Sequence, residues 1–336
     1  MQIARSLAEL ESVTGPSVVT IGNFDGVHCG HRMILASVIA RARALNARAV
    51  AVTFDPHPAH ILHDGPHLPL ITPLPEKLAL LAATGLDLIL VLPFNAELRL
   101  WSAHQFADRV LREGLHAVEV HEGETFRFGH RAEADITDLA RFGLDLGFTV
   151  RTDPPCIARG SAISSSRIRT LIAAGAVSHA RTLLGRPFSI HSTPASVRGY
   201  GTRYAVPTIN LAPYPELLPA NGVYITTLKV GSAPSTSSRP TVGGNENQPR
   251  RLFRGVTNAG NRPTFGADSF AVETHLLDFE PIALTETIPL ELTFLHRLRD
   301  EQRFPTPEAL RTQIGLDVRR TQRYFALCNA LKIPIT

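Results

Sequence analysis

Between residues 18 and 184 short β-branched runs alternate with stretches of helical periodicity, and few architectures accept that pattern. Strands joined by helices run parallel, because each helix carries the chain back to the same end of the sheet and covers one of its faces. The spacing predicts strands at 18–21, 49–54, 86–92, 117–120 and 148–150. Helices are predicted at 32–45, 75–84, 103–112, 136–146, 164–174 and 178–184. The C-terminal ends of such strands share one edge, where open α/β sheets hold their ligands. After Pro187 the pattern changes to strand-like runs at 189–197, 222–230, 252–256, 270–277 and 288–295, with no long helix until 308–331. That order predicts a small antiparallel β-barrel or sandwich with a terminal helix packed on it. A chain of 336 residues exceeds one hydrophobic core, so two domains are expected, at 1–185 and 186–336. Residues 231–250 hold too few apolar side chains to bury and read as a mobile loop.

Composition narrows the function. The chain is 44% hydrophobic and 19% charged, as in ordinary soluble proteins. No window of 18 or more apolar residues occurs, and residues 1–10 lack the apolar core of a signal peptide, so a cytoplasmic protein without membrane contact is expected. Cys29, Cys156 and Cys328 share no ligand-like spacing and read as reduced thiols. The net charge of +4 is scattered, which argues against a nucleic-acid partner. Oligomeric state is left open, a weak homo-oligomer included. Lysine is scarce: Lys77, Lys229 and Lys332 are the only three, and none lies in a GxxxxGK[ST] loop. Arginine, histidine, backbone amides or a metal would have to bind phosphate in its place.

Four constellations could carry chemistry. The run Ser17-Val-Val-Thr-Ile-Gly-Asn-Phe-Asp-Gly-Val-His-Cys-Gly-His31 passes from a strand through a glycine-studded turn into a helix. Unpaired N–H groups and the helix dipole favour an anion there, and His28 and His31 share a helix face. Gly22, Gly26 and Gly30 allow positive φ or close backbone approach. Helix capping alone, and a zinc site with His57, His60, His63 and His67, are the competing readings. In Gly160-Ser-Ala-Ile-Ser-Ser-Ser-Arg-Ile-Arg169, Ser164 is a natural N-cap. Ser165, Ser166, Arg167 and Arg169 add donors that capping does not require, and this loop could grip the same polyphosphate as the histidine turn. Thr53-Phe-Asp-Pro-His-Pro58 and Gly123-Glu-Thr-Phe-Arg-Phe-Gly129 follow two of the strands; Phe126 and Phe128 suit either a core or the wall of a flat aromatic ligand. Finally, Pro207-Thr-Ile-Asn210 and Val272-Glu-Thr-His275 offer Thr208 and Asn210 as neutral oxygen ligands for Mg²⁺ and Glu273 as a base, or else Glu273 merely faces solvent.

Taken in order, GNFDGVHxGH, TFDPHP, FRFG, ISSSRIR, LLGRPF, PTIN, GVTNxGxRPTF and ExHLLDF resemble the bifunctional bacterial riboflavin kinase/FAD synthetases over nearly the whole chain. The resemblance implies a Rossmann-like nucleotidyltransferase domain that transfers AMP from ATP to FMN, giving FAD and pyrophosphate. It also implies a C-terminal domain that phosphorylates riboflavin to FMN, with ATP as co-substrate and Mg²⁺ as cofactor. On that basis His28, His31, Ser164 and Arg169 hold the ATP phosphates. Gly22, Asn23, Phe24, Asp25, Gly26, Gly30, Ser165, Ser166 and Arg167 shape the nucleotide site, together with Gly199 and Gly201 of the second domain. Phe54, Asp55, Pro56, His57, Pro58, Phe126, Phe128 and Arg299 border the flavin. Thr208 and Asn210 bind Mg-ATP, and Glu273 is the kinase base.

The departures from the family pattern concentrate in the second domain. Thr202 replaces an arginine, and Val197 and Ala205 replace glycines, in the run before PTIN; the segment Glu280-Pro-Ile-Ala-Leu-Thr-Glu286 replaces a GDLYG-like one. In the first domain only Thr125 departs, standing where Asp or Asn is usual. A weakened or altered kinase beside an intact adenylyltransferase is therefore expected, with a flavin-binding or regulatory barrel as the alternative.

Overall fold

The computed structural model describes residues 1–10, 14–62, 65–195, 208–231, 251–261, 270–278 and 285–335. Gly199, Gly201, Val197, Thr202, Ala205, His63, positions 280–284 and nearly all of the 231–250 loop lie outside the described residues. The chain divides into two compact units, Met1–Ser165 and Ser166–Thr336.

The first unit contains β1 (Gln2–Ala4), β2 (Ser17–Ile21), α1 (Cys29–Ala44), β3 (Arg48–Asp55), α2 (Pro58–Leu62), α3 (Leu74–Ala82) and β4 (Leu88–Pro93). It continues with α4 (Ala103–Phe106), which widens into a π-helix over Ala107–Gly114, then β5 (Ala117–Gly123), β6 (Arg127–Phe128), β7 (Ala134–Asp135), α5 (Ile136–Leu146), β8 (Thr149–Asp153), β9 (Ile157–Ala158) and β10 (Ser161–Ala162). Six strands form one sheet in the order β1-β4-β3-β2-β5-β8, and every neighbouring pair is parallel. Alternate residues feed two cores. Val19, Ile21, Val50, Val52, Leu88 and Leu90 pack toward Val110, Leu111 and Leu139, whereas Val18, Ala49, Ala51, Ile89 and Val91 pack toward Leu35, Val38, Leu78 and Leu81. Both faces are thus apolar, the pattern of a sheet covered on each side. β1, three residues long, was too short to register as a periodic run.

The second unit comprises α6 (Ser165–Ala173) from Ser166 onward, α7 (Val177–Leu184), β11 (Phe188–Ser192), β12 (Thr208–Asn210), β13 (Gly222–Val230), β14 (Arg251–Asn261), β15 (Phe270–Leu277), β16 (Leu290–Arg299) and α8 (Pro307–Ala330). α7 packs on β11 and β16, and the Ser178 hydroxyl donates to the Leu295 carbonyl at 3.3 Å. This packing places α7 with the barrel, ahead of the composition break at residue 185.

All six strands are antiparallel neighbours in the order β11-β16-β13-β14-β15-β12. A bridge between Pro194 and Leu211 joins the two edges, with Ala195 N to Asn210 O and Ala212 N to Thr193 O both at 2.8 Å. The sheet closes on itself there, which removes its exposed edges. Inside, the hydroxyls of Thr226, Thr257 and Thr274 form a chain at 2.7 and 2.9 Å, and Gly255 leaves them room, since a Cβ there would lie 2.8 Å from Thr274 Cγ2. α8 begins at the cap Thr306, whose hydroxyl accepts from Ala309 N at 3.2 Å, and it covers Ile225 and Leu295 with Phe325.

Candidate active sites

β2 is buried at all five residues and ends where the histidine turn begins. His28 caps α1: its Nδ1 accepts from His31 N at 3.2 Å, and the two imidazoles stack with centroids 3.6 Å apart. Phe24 closes against His31 edge-on at 5.2 Å. Burial, with the charges of His28 and Lys77 nearby, holds the His31 imidazole well below its usual range, so it is neutral at physiological pH. Of the three glycines only Gly26 takes positive φ, at 87°; Phe24 and Val27 supply the other left-handed turns at 48° and 37°. Gly22 and Gly30 serve by lacking a side chain, since a Cβ on them would lie 3.2 Å from the Phe24 ring and 3.1 Å from the His28 ring. The turn is therefore a rigid, ring-packed cradle.

Asp25 is the fastener of that cradle. Its carboxylate accepts from Ile71 N at 3.0 and 3.1 Å and from Thr72 N at 3.0 Å, while Gly26 N donates to the Thr72 hydroxyl at 2.9 Å. Its backbone carbonyl accepts from the Ser165 hydroxyl at 2.8 Å. The histidine turn and the serine loop, 140 residues apart in sequence, are thus hydrogen-bonded to each other. Ser164 precedes Ser165 at the start of α6, and Ser166, Arg167 and Arg169 follow along that helix.

Two buried charged residues beside the turn, and a charged cluster on β5, had no distinct sequence pattern. Lys77 of α3 is 5% exposed, and its ammonium donates to Asn23 O, Thr53 Oγ1 and Phe54 O at 3.2, 3.1 and 3.3 Å. Lysine scarcity was the one signal that could have drawn attention to it. Glu122, at the ligand edge of β5, is 3% exposed and accepts from Ile21 N at 2.6 Å. Burial raises its carboxyl well above the usual range, and the Asp153 charge adds to the rise against the hydrogen bond from Ile21. On the other face of β5, His121 bridges Glu119 and Asp153 at 2.9 Å on each side, and Arg41 and Arg151 close on Glu119 at 2.9 and 3.0 Å. The β2–β5 register shift between Ser17 and Val18 puts Glu119 opposite Val18, on the α1 side of the sheet.

The aromatic segments meet at the same edge. Phe126 stacks on Phe128 at 5.2 Å, Phe128 packs on Phe106 at 6.2 Å, and Phe106 reaches Phe54 at 6.5 Å. Phe128 belongs to the core, whereas Phe54 and Phe126 are only partly buried against it. Asp55 ends β3, the Asp55–Pro56 peptide is cis, His57 accepts from Ala59 N at 3.1 Å, and Pro58 opens α2. Among the described residues no group of three His, Cys, Asp or Glu is placed to hold a metal, and His60 is engaged with Leu68 O at 2.8 Å, so the zinc reading finds no support.

In the second unit the strand register builds a row. Glu273 of β15 stands opposite Asn210 of β12 on one side and Asn258 of β14 on the other, and His275 stands opposite Thr208. Directly paired residues project from the same face of a sheet with Cβ atoms about 5 Å apart. Ile209, Thr257 and Thr274 alternate with this row and are buried, so the row lies on the outer face of the barrel. Arg299 is placed elsewhere: its Nε and Nη2 donate to Asp317 of α8 at 3.0 and 2.9 Å, and its Nη1 donates to Asp300 O at 3.0 Å. It clamps α8 to β16.

A parallel sheet with a histidine-capped turn at the C-terminal ends of its strands, followed by a closed antiparallel barrel with an amide–carboxylate row, is the arrangement of a nucleotidyltransferase domain joined to a barrel transferase. The FAD synthetase family model matches residues 10–167 and the riboflavin kinase model matches 184–325. A bifunctional riboflavin kinase/FMN adenylyltransferase of Pseudomonas fluorescens is 35% identical over 95% of this chain and 96% of its own length. The protein of the same name from Escherichia coli K12 is 30% identical over 92% of this chain and 93% of its own. The chain belongs to the bifunctional riboflavin kinase/FMN adenylyltransferases, with the adenylyltransferase domain N-terminal and the kinase domain C-terminal. The crystal structure of a macrolide-efflux protein from Streptococcus pneumoniae superposes with a TM-score of 0.80 at 24% identity, over 95% of this chain and 98% of that one, and shares the fold. No helix among the described residues is long and apolar enough to cross a membrane.

Proposed function

We propose that this chain makes FAD from riboflavin in two steps, each carried by one of the sites above. The observation that most supports the adenylyl-transfer site is the Ser165–Asp25 hydrogen bond, which joins the two anion-binding motifs at the ligand edge of the sheet. His28, His31, Ser164 and Arg169 bind the ATP phosphates; Asn23, Asp25 and the three glycines shape the turn around them. An FMN phosphate oxygen attacks the α-phosphorus, a new P–O bond forms, and the bond to pyrophosphate breaks. Donors already in place at the turn stabilise the added charge without reorganising. Phe54, Phe126 and the 55–58 segment border the flavin.

In the kinase, Glu273 takes the proton of the riboflavin 5′-hydroxyl while that oxygen attacks the γ-phosphorus and ADP leaves. Asn210, in register with Glu273, and Thr208, in register with His275, offer neutral oxygens, a donor set that fits Mg²⁺, which keeps much of its shell for water and substrate phosphate. The ion would neutralise phosphate charge when bound. Arg299, whose guanidinium also holds Asp317 of α8, borders the flavin.

Purified protein given riboflavin and Mg-ATP tests the proposal. FMN should accumulate first, then FAD with an equivalent of pyrophosphate. Conversion of FMN but not of riboflavin would leave a barrel without turnover, and failure to convert FMN would overturn the adenylyltransferase assignment.

A further inference from the structure

Beneath the histidine turn lies a buried cation that neither step above uses. We propose that Lys77 is a positioning residue for adenylyl transfer: its ammonium ties the nucleotide turn to the end of β3, so that the phosphate-binding histidines and the flavin-bordering segment are set in place together. This inference rests on reading the first unit as the FMN adenylyltransferase.

The ladder between β2 and β3 ends at the Ile21–Val52 pair. Past it the two strands lead into different parts of the site, β2 into Asn23 and the histidine turn, β3 into Phe54 and the Asp55–Pro58 segment. The Lys77 ammonium spans that gap. Its bonds to Asn23 O, Thr53 Oγ1 and Phe54 O use all three N–H groups, and the Thr53 hydroxyl itself donates to Asn23 O at 3.3 Å. Methionine would fill the same volume at a smaller desolvation cost, but both carbonyls would lose their shared donor. Arginine, used elsewhere in this chain, has a planar fork that does not aim three donors around one point.

The charge matters as well as the bonds. Burial pulls the Lys77 ammonium down to about 8 against the fields of Asp25 and Asp55, which favour it. The same charge helps keep His31 neutral. The titratable groups acting on this position are therefore Asp25, Asp55 and His31, with His28 stacked behind His31.

The test compares Lys77→Met and Lys77→Arg with the wild-type full-length chain, measuring kcat and KM for FAD formation from FMN and, in the same preparations, riboflavin phosphorylation. Lys77→Met should lower kcat for FAD formation about 100-fold, as a misplacement of about 1 Å between reacting groups does, and leave riboflavin phosphorylation unchanged. Lys77→Arg should recover part of that kcat. Wild-type FAD formation should also fall as pH rises through about 8, where the ammonium loses its proton, and Lys77→Arg should lack that limb. A Lys77→Met kcat within about threefold of wild type overturns the inference. Should Lys77→Met fail to fold, an unchanged alkaline limb in Lys77→Arg overturns it, and a vanished limb supports it. Wild-type protein that makes no FAD from FMN would refute the underlying reading, a result distinct from active wild type with an equally active Lys77→Met.

Discussion

Replacing Asp25 by alanine should loosen the first unit where the histidine turn meets the 71–72 segment. The carboxylate is 2% exposed and is the acceptor for Ile71 N and Thr72 N. Removing it leaves two buried backbone donors without that acceptor, at about 1–3 kcal/mol each, for a total of about 2–6 kcal/mol. Domains are stable by only about 5–15 kcal/mol, so this is a large share. For a unit of this size the midpoint of thermal unfolding should fall by roughly 5–15 °C. Asp25→Asn keeps one acceptor oxygen and should lie between the two. The chain has a single tryptophan, Trp101, and it lies in the first unit, so its fluorescence in a urea titration reads that unit alone. A loss smaller than about 1 kcal/mol in Asp25→Ala would refute the claim that these bonds hold the turn.

Three further outcomes follow from the geometry. Because the folded Glu122 carboxyl is raised, its contribution is fully present below the ordinary glutamate range and is lost as pH climbs from there toward the folded value. Glu122→Gln should therefore flatten that decline and raise Trp101-monitored stability at neutral pH; parallel pH profiles for variant and wild type would contradict it. His28→Ala should cut FAD formation by at least about 100-fold and spare riboflavin phosphorylation, whereas Glu273→Ala should do the reverse, as product analysis on both substrates would reveal. Arg299→Ala leaves Asp317, 1% exposed, without its cation and should cost the second unit about 3 kcal/mol, visible in calorimetry. An unchanged transition with a raised KM for flavin would instead place the main role of Arg299 at the flavin.

The parallel sheet was legible because burial on both faces writes itself as continuous apolar runs, and α5 matches its predicted range of 136–146 to the residue because Asp135 and Gly147 cap it. β12 was not legible: three residues carry no period, and Thr208 and Asn210 stood out as a motif rather than as a strand. The histidine and serine motifs stood out in the sequence as candidate anion sites, but Asp25 acts through bonds to Ile71 and Thr72, and nothing local announces a partner 46 residues away. Lys77 and Glu122 escaped for a similar reason. Lys77 follows Glu76 at the head of an apolar helix and Glu122 lies near the end of a strand that already carries Glu119 and His121, so neither stands out in the sequence and the role of each exists only in three dimensions.

The closure of that barrel has a consequence for when its parts come apart. β13 is nine residues long and paired on both sides, whereas β12 has three residues, paired along one flank to β15 and, among the described residues, joined beyond its end to the opposite edge by the backbone bonds around Pro194 and Leu211. Opening a strand requires breaking its bonds together, so β12 is expected to open at a lower free energy than β13. Amide hydrogens of β12 should exchange with solvent well before those of β13. Thr208 and Asn210 thus ride on the segment that breathes first, while Glu273 stands on the strand that stays.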